Sequence, residues 1–135
     1  MDWTLEVVVI PVRDIDRAVA FYRDQVGFHL DHDNAFGEHR IAQLTPPGSG
    51  CSIAVGDLPM MRLMEPGSLK GVQLVVPDIE TAHRELGDRG VDVSDIAVLT
   101  DRDGGRFFWF EDPDGNGWAV QEIRARAERP LMARS

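Results

Sequence analysis

The feature that most constrains this chain is that it repeats itself. Val8 to Ala18 reads V-V-I-P-V-R-D-I-D-R-A, and Val72 to Ala82 reads V-Q-L-V-V-P-D-I-E-T-A. A constant offset pairs Val8 with Val72, Val12 with Val76, Asp14 with Asp78, Ile15 with Ile79, and Ala18 with Ala82. Two copies of one supersecondary unit fit in 135 residues, which is the length of one domain with a core of its own. A fold with internal pseudo-symmetry is therefore expected.

Each copy opens on a β-branched run suited to a buried strand. An Asp follows that can cap a helix by accepting from its first free amide groups. After these caps, Ile15, Val19 and Tyr22 recur at helical spacing, as do Ile79, Ala82, His83 and Leu86. Gly27 and Gly90 then offer the left-handed residue that closes a helix. The pattern predicts helices over 14–25 and 78–88. It predicts short strands at 28–33, 39–44 and 51–55 in the first half, and at 92–98, 106–110 and 118–123 in the second. Each half is then βαβββ. The reading divides the chain into a single domain over 1–123, with modules at 5–56 and 69–123 and a linker at 57–68, and a flexible tail over 124–135. Two such modules side by side can curl into a cup, and apolar cups with a few polar groups bind small molecules.

Charge narrows the partners. The net charge is −9, and the arginine-rich end makes the remaining body more acidic still. Phosphate backbones and anionic membranes need clustered Lys and Arg, so neither nucleic acid nor membrane is an expected partner. The single cysteine, Cys51, forms no internal disulfide. The opening residues Met1 to Glu6 carry no basic cluster, and the apolar run Val7 to Val12 is broken by Pro11 and too short to span a bilayer. A cytoplasmic protein is expected.

Three motifs in order, V-x-D-I-D-x-A-x-x-F-Y (Val12 to Tyr22), V-P-D-I-E-x-A (Val76 to Ala82) and F-x-D-P-D-G-N (Phe110 to Asn116), resemble the vicinal oxygen chelate superfamily. That group holds glyoxalases, bleomycin-resistance proteins and extradiol dioxygenases. The resemblance implies an α+β fold of two βαβββ modules forming a curved mixed-sheet cup, and a homodimer whose cups form between chains. In metal-using members it implies ligands at places that fall here on Val7, Gly71, Ala119 and, in the first module, Ser52. Valine, glycine and alanine offer no side-chain lone pair, so no metal and no other cofactor is expected at these positions. Glu6 lies one residue and Glu122 three residues from a ligand place, odd offsets that put both on the opposite sheet face.

By strand alternation the cup is lined by Val9, Gln73, Val75 and Gln121, with Trp109 at the aromatic position the resemblance marks and Phe107 on the same face. Gln43 takes the matching first-module place. Trp109 and Phe107 give flat surfaces for stacking, while Gln43, Gln73, Gln121 and Ser52 hydrogen-bond without titrating. Met60, Met61 and Met64 in the linker can repack as a lid, and Met61 joins the expected lining. Neutral amides cannot act as general acids or bases, so no catalytic residue is named.

The expectation is a metal-free binder of a planar or hydrophobic, natural-product-like ligand, of the kind used for antibiotic self-resistance. The competing expectation is a lyase, isomerase or dioxygenase with a relocated metal. Its donors would be His29, His32, Glu38 and His39, on strands where His29, Asp31 and Asp33 alternate onto one face.

Overall fold

The structure is a computed structural model and describes residues 1–131. The expected tail therefore lies outside the described residues from position 132 onward. In chain order the first half holds β1 (Val7–Val9), α1 (Ile15–Ala20) running on as a π-helix (Phe21–Val26), β2 (His29–Phe36), β3 (His39–Thr45) and β4 (Ser52–Gly56). A one-turn 3-10 helix at Pro59–Arg62 leads into the second half. There follow β5 (Lys70–Val76), α2 (Ile79–Asp88), β6 (Ala97–Val98), β7 (Arg106–Glu111), β8 (Gly117–Glu122) and a 3-10 turn at Arg124–Ala127.

The repeat is visible in the topology. Sheet A runs β1-β4-β3-β2 and sheet B runs β5-β8-β7-β6. In each, the first and last strands of the module pair in parallel and the others are antiparallel. This is the α+β, two-module arrangement that the sequence implies. The caps sit at matching places: Asp14 accepts from the Arg17 amide at 3.0 Å, and Asp78 from the Thr81 amide at 3.1 Å.

Two elements depart from expectation. The first helix is α-helical only to Ala20 and then widens into π geometry, so that the adjacent rings of Phe21 and Tyr22 are both buried together with Val26. Gly27, at φ 94°, ends it, and its amide donates to the Tyr22 carbonyl at 3.0 Å. The strand expected at 92–98 survives only as Ala97–Val98. Upstream, Ser94 replaces regular pairing: its hydroxyl accepts from the Trp109 amide at 2.8 Å, and its own amide donates to the Trp109 carbonyl at 2.9 Å.

One core serves both modules. Ala42, Leu44, Ile53 and Val55 of sheet A and Phe108, Phe110, Trp118 and Val120 of sheet B belong to a single buried cluster with Ala18, Val19, Tyr22, Ile79 and Leu86 of the helices. The aromatic contacts cross the pseudo-symmetry axis. Phe21 meets Phe110, Tyr22 meets Trp118 at 5.6 Å between centroids, and Phe28 meets Trp118 edge-on. Each sheet thus turns its helix-bearing face toward the other module. Since side chains alternate, its second face turns outward.

The D-P-D-G-N turn fastens this packing. Asp112 accepts from the Tyr22 hydroxyl at 2.7 Å and from the Asn116 side chain at 2.8 Å, and Asn116 also donates to the Pro11 carbonyl at 2.8 Å. The Trp118 indole donates to the Tyr22 oxygen at 2.9 Å. Burial, followed by the neighbouring Asp112 carboxylate, holds the Tyr22 hydroxyl far above the usual phenol range, so it stays a donor.

Candidate functional site

The ladder registers fix what lies on the outward faces. On sheet B, Phe107 opposes Gln121, Trp109 opposes Ala119, and Ala119 opposes Gln73. On sheet A, Gln43 opposes Ala54, Ala54 opposes Val9, and Ser52 opposes Val7. All the expected lining residues of the strands are therefore on outward faces, three on sheet A and five on sheet B. Gln43 and Trp109 occupy equivalent places, each beside an alanine of the closing strand. The registers correct one correspondence: the first-module partner of Ala119 is Ala54, because Val9 and Gln73 are repeat equivalents and face these two residues.

Sheet B presents an aromatic and amide surface. The Phe107 and Trp109 rings stack at 6.1 Å with 13° between planes, and Trp109 is 44% exposed although it sits in mid-strand. Gln121 donates to the Gly104 carbonyl at 2.8 Å, which fixes the orientation of its amide, and its carbonyl accepts from Gln73 at 2.7 Å. A groove of about 620 Å³ opens beside Trp109 between Gly71, Ser94 and Ala119; it includes neither Phe107 nor the two glutamines.

Sheet A presents a polar surface that alternation alone does not find. A bulge between Leu30 and His32 makes Asp31 an extra residue in β2. Beyond it His32 opposes Gln43, whereas Asp33 opposes Ala42 on the helix side. The expected single face of His29, Asp31 and Asp33 is thereby divided. Asp31 accepts from the Thr45 hydroxyl, and Thr45 and Ser52 are hydrogen-bonded at 2.6 Å. Asp33 is instead clamped by Arg40, at 2.7 and 2.9 Å, while Arg40 also reaches Asp16 at 2.6 Å. The Arg40 hydrogen bonds hold the Asp33 carboxyl below its ordinary range. In the sequence, the signal for this division was the extra residue between two alternating runs, which composition does not reveal.

Met61 is buried, and its sulfur lies so close to Gly56 that a Cβ there would meet it at 2.8 Å. It therefore covers the end of sheet A rather than approaching Trp109. Met60 and Met64 are exposed.

The residues at the family's metal positions do not fit a metal. Val7, Gly71, Ala119 and the register-corrected Ala54 carry no donor, and Ser52 is committed to Thr45. Glu122 lies on the helix side, nearly buried, where it accepts from the Ile79 amide at 3.0 Å and pairs with Arg106 at 3.0 Å. The alternative donors are dispersed: His29 lies 3.9 Å from Asp31, and His39 lies 3.6 Å from Asp57. Among the described residues no three His, Cys, Asp or Glu side chains converge as a metal-binding group. No helix among them is long and apolar enough to cross a membrane.

Two βαβββ modules about one core, each with an outward sheet face, define the class. The family model for the Glyoxalase/Bleomycin resistance protein/Dioxygenase superfamily matches residues 4–120, and the chain belongs to that superfamily. Among solved structures it is similar to TnmS3, an antibiotic binding protein from Streptomyces sp. CB03234. The two share 32% identity over 90% of this chain and 97% of that one, with a TM-score of 0.76. It is also similar to a glyoxalase/bleomycin resistance protein from the same organism, at 33% identity over 87% and 99% with a TM-score of 0.73. A superfamily member from Sphaerobacter thermophilus DSM 20745 shares 30% identity over 90% and 98%, with a TM-score of 0.76. No curated protein matches the chain in sequence.

Proposed function

We propose that this protein is a metal-free binder that captures a planar or hydrophobic, natural-product-like small molecule, in a cup built from the outward faces of two copies of the chain. The observation that carries the reading is the stacked Phe107–Trp109 pair left open on sheet B, flanked by an amide pair and by alanine and glycine where relatives place metal ligands. Stacking surfaces and neutral amides bind and orient flat molecules without supplying a proton or an electrophile.

Geometry supports the second copy. In one chain the two sheets face each other through the helices, so their outward faces point apart. Setting sheet A of one copy beside sheet B of another would bring Gln43, Ser52 and Val9 opposite Trp109, Phe107, Gln73 and Gln121. The similarity to an antibiotic binding protein supports a sequestering role and, with it, self-protection against a toxic metabolite.

The test is titration of the homodimer with planar aromatic probes, followed by tryptophan fluorescence. Trp109→Ala is expected to weaken binding by about 1–3 kcal/mol, the scale of aromatic stacking on planar rings, and to remove the ligand-dependent quench, leaving Trp118 as a reporter of intact folding. Unchanged affinity in Trp109→Ala would place the ligand elsewhere.

A further inference from the structure

The polar groups on the two outward faces have a direction. The Thr45 hydroxyl has one hydrogen and spends it on Asp31, so the hydrogen shared by Thr45 and Ser52 comes from Ser52. The chain therefore runs from Ser52 through Thr45 to a carboxylate. What it leaves free is acceptor capacity: the second oxygen of Asp31 and a lone pair on Ser52. Asp31 is partly exposed, and among the described residues its one ion-pair contact is the His29 imidazole, at 3.9 Å. Its neighbour Asp33, by contrast, is closed off by Arg40. On sheet B the amide chain runs the same way. Gly104 fixes Gln121, Gln121 takes a hydrogen from Gln73, and the carbonyl oxygen of Gln73 is left to accept.

We infer that the cup selects planar aromatic molecules carrying an O–H or N–H donor on the ring edge, phenols and aryl amines, and that Asp31 is the residue that imposes this choice. The inference rests on the composite cup proposed above, since Asp31 and Trp109 lie on faces that only a second copy brings together. The flat ring stacks on Trp109 and Phe107 of one copy while its donor reaches the Asp31 carboxylate of the other. An ether or ketone at the same edge offers a second acceptor to an acceptor and leaves a charged group desolvated and unpaired, which costs more than the missing bond alone.

The experiment is equilibrium dialysis of umbelliferone and of its methyl ether against the intact dimer, in mildly acidic buffer where the phenol keeps its proton. Umbelliferone is expected to bind about tenfold or more tightly than the ether, the scale of a hydrogen bond to a charged group. Asp31→Ala should erase that preference, both by weakening umbelliferone and by sparing the ether an unpaired carboxylate, and Trp109→Ala should weaken both probes alike. Asp31→Asn, which keeps the shape of the bulge, should lose part of the preference and guards against misfolding of the alanine variant. Equal binding of phenol and ether, unaffected at Asp31 but weakened by Trp109→Ala, would overturn donor selection and leave the aromatic site standing. Binding of neither probe, or binding indifferent to Trp109→Ala, would overturn the site itself.

Discussion

Tyr22 shows how much one side chain carries here. Its ring packs in the joint between modules, and its hydroxyl is at once a donor to Asp112 and an acceptor from Trp118. Replacing it with phenylalanine keeps the packing and strands the Trp118 indole N–H in a dry interior. Tyr22→Phe is therefore expected to lower stability by about 1–3 kcal/mol, read as a reduced urea midpoint with an unchanged slope. A midpoint equal to wild type would mean that water reaches the indole. The aromatic F-Y pair and the D-P-D-G-N turn were both legible as motifs, and the turn as a turn. That the turn's first Asp and its Asn bind Tyr22 and Pro11 was not legible, because residues so far apart in the chain show no mutual periodicity.

Among the elements, β8 and α2 are joined through Glu122. Burial by itself would push this carboxyl up, but the Ile79 amide and the guanidinium groups of Arg106 and Arg124 outweigh it and hold the carboxyl below the ordinary glutamate range. A carboxyl depressed in the folded state contributes stability above its unfolded pKa. That contribution is lost as pH falls through the lower, folded value. Glu122→Gln should lower stability near neutral pH by about 1–3 kcal/mol, the scale of losing hydrogen bonds to a charged group while Arg106 keeps Glu80, and should flatten the acid side of the stability profile. A profile as steep as wild type would assign the acid sensitivity to other carboxyls. The succession of elements in each module, both helix caps and the alternation of β5, β7 and β8 could be read in advance from period-two and helical spacing. The bulge in β2, the π-helix and the truncation of β6 could not. Each is set by a tertiary demand: where Asp31 must turn, how two adjacent rings are buried, and Ser94 standing in for a strand residue.

For the whole molecule, the repeat produces two similar sheets that share their buried faces and leave their outward faces apart. This explains why lining residues identified by alternation all fall on outward faces, with those of one sheet turned away from those of the other. It also explains why the apolar Val75 and Trp109 are left open on sheet B. Sedimentation equilibrium at micromolar concentration is expected to give a dimer. A monomer that still binds a planar probe through Trp109 would remove the need for a shared cup.

The most direct measurement mixes two defects. Gln43→Arg places a long charged side chain on the sheet A face, and Trp109→Ala strips the sheet B face; each homodimer should bind umbelliferone poorly. Co-expressed chains purified as the mixed dimer, through different affinity tags, carry both defects in one cup and none in the other. The account predicts one site per mixed dimer at wild-type affinity. A mixed dimer as impaired as either parent would show that each site lies within a single chain, and would contradict it.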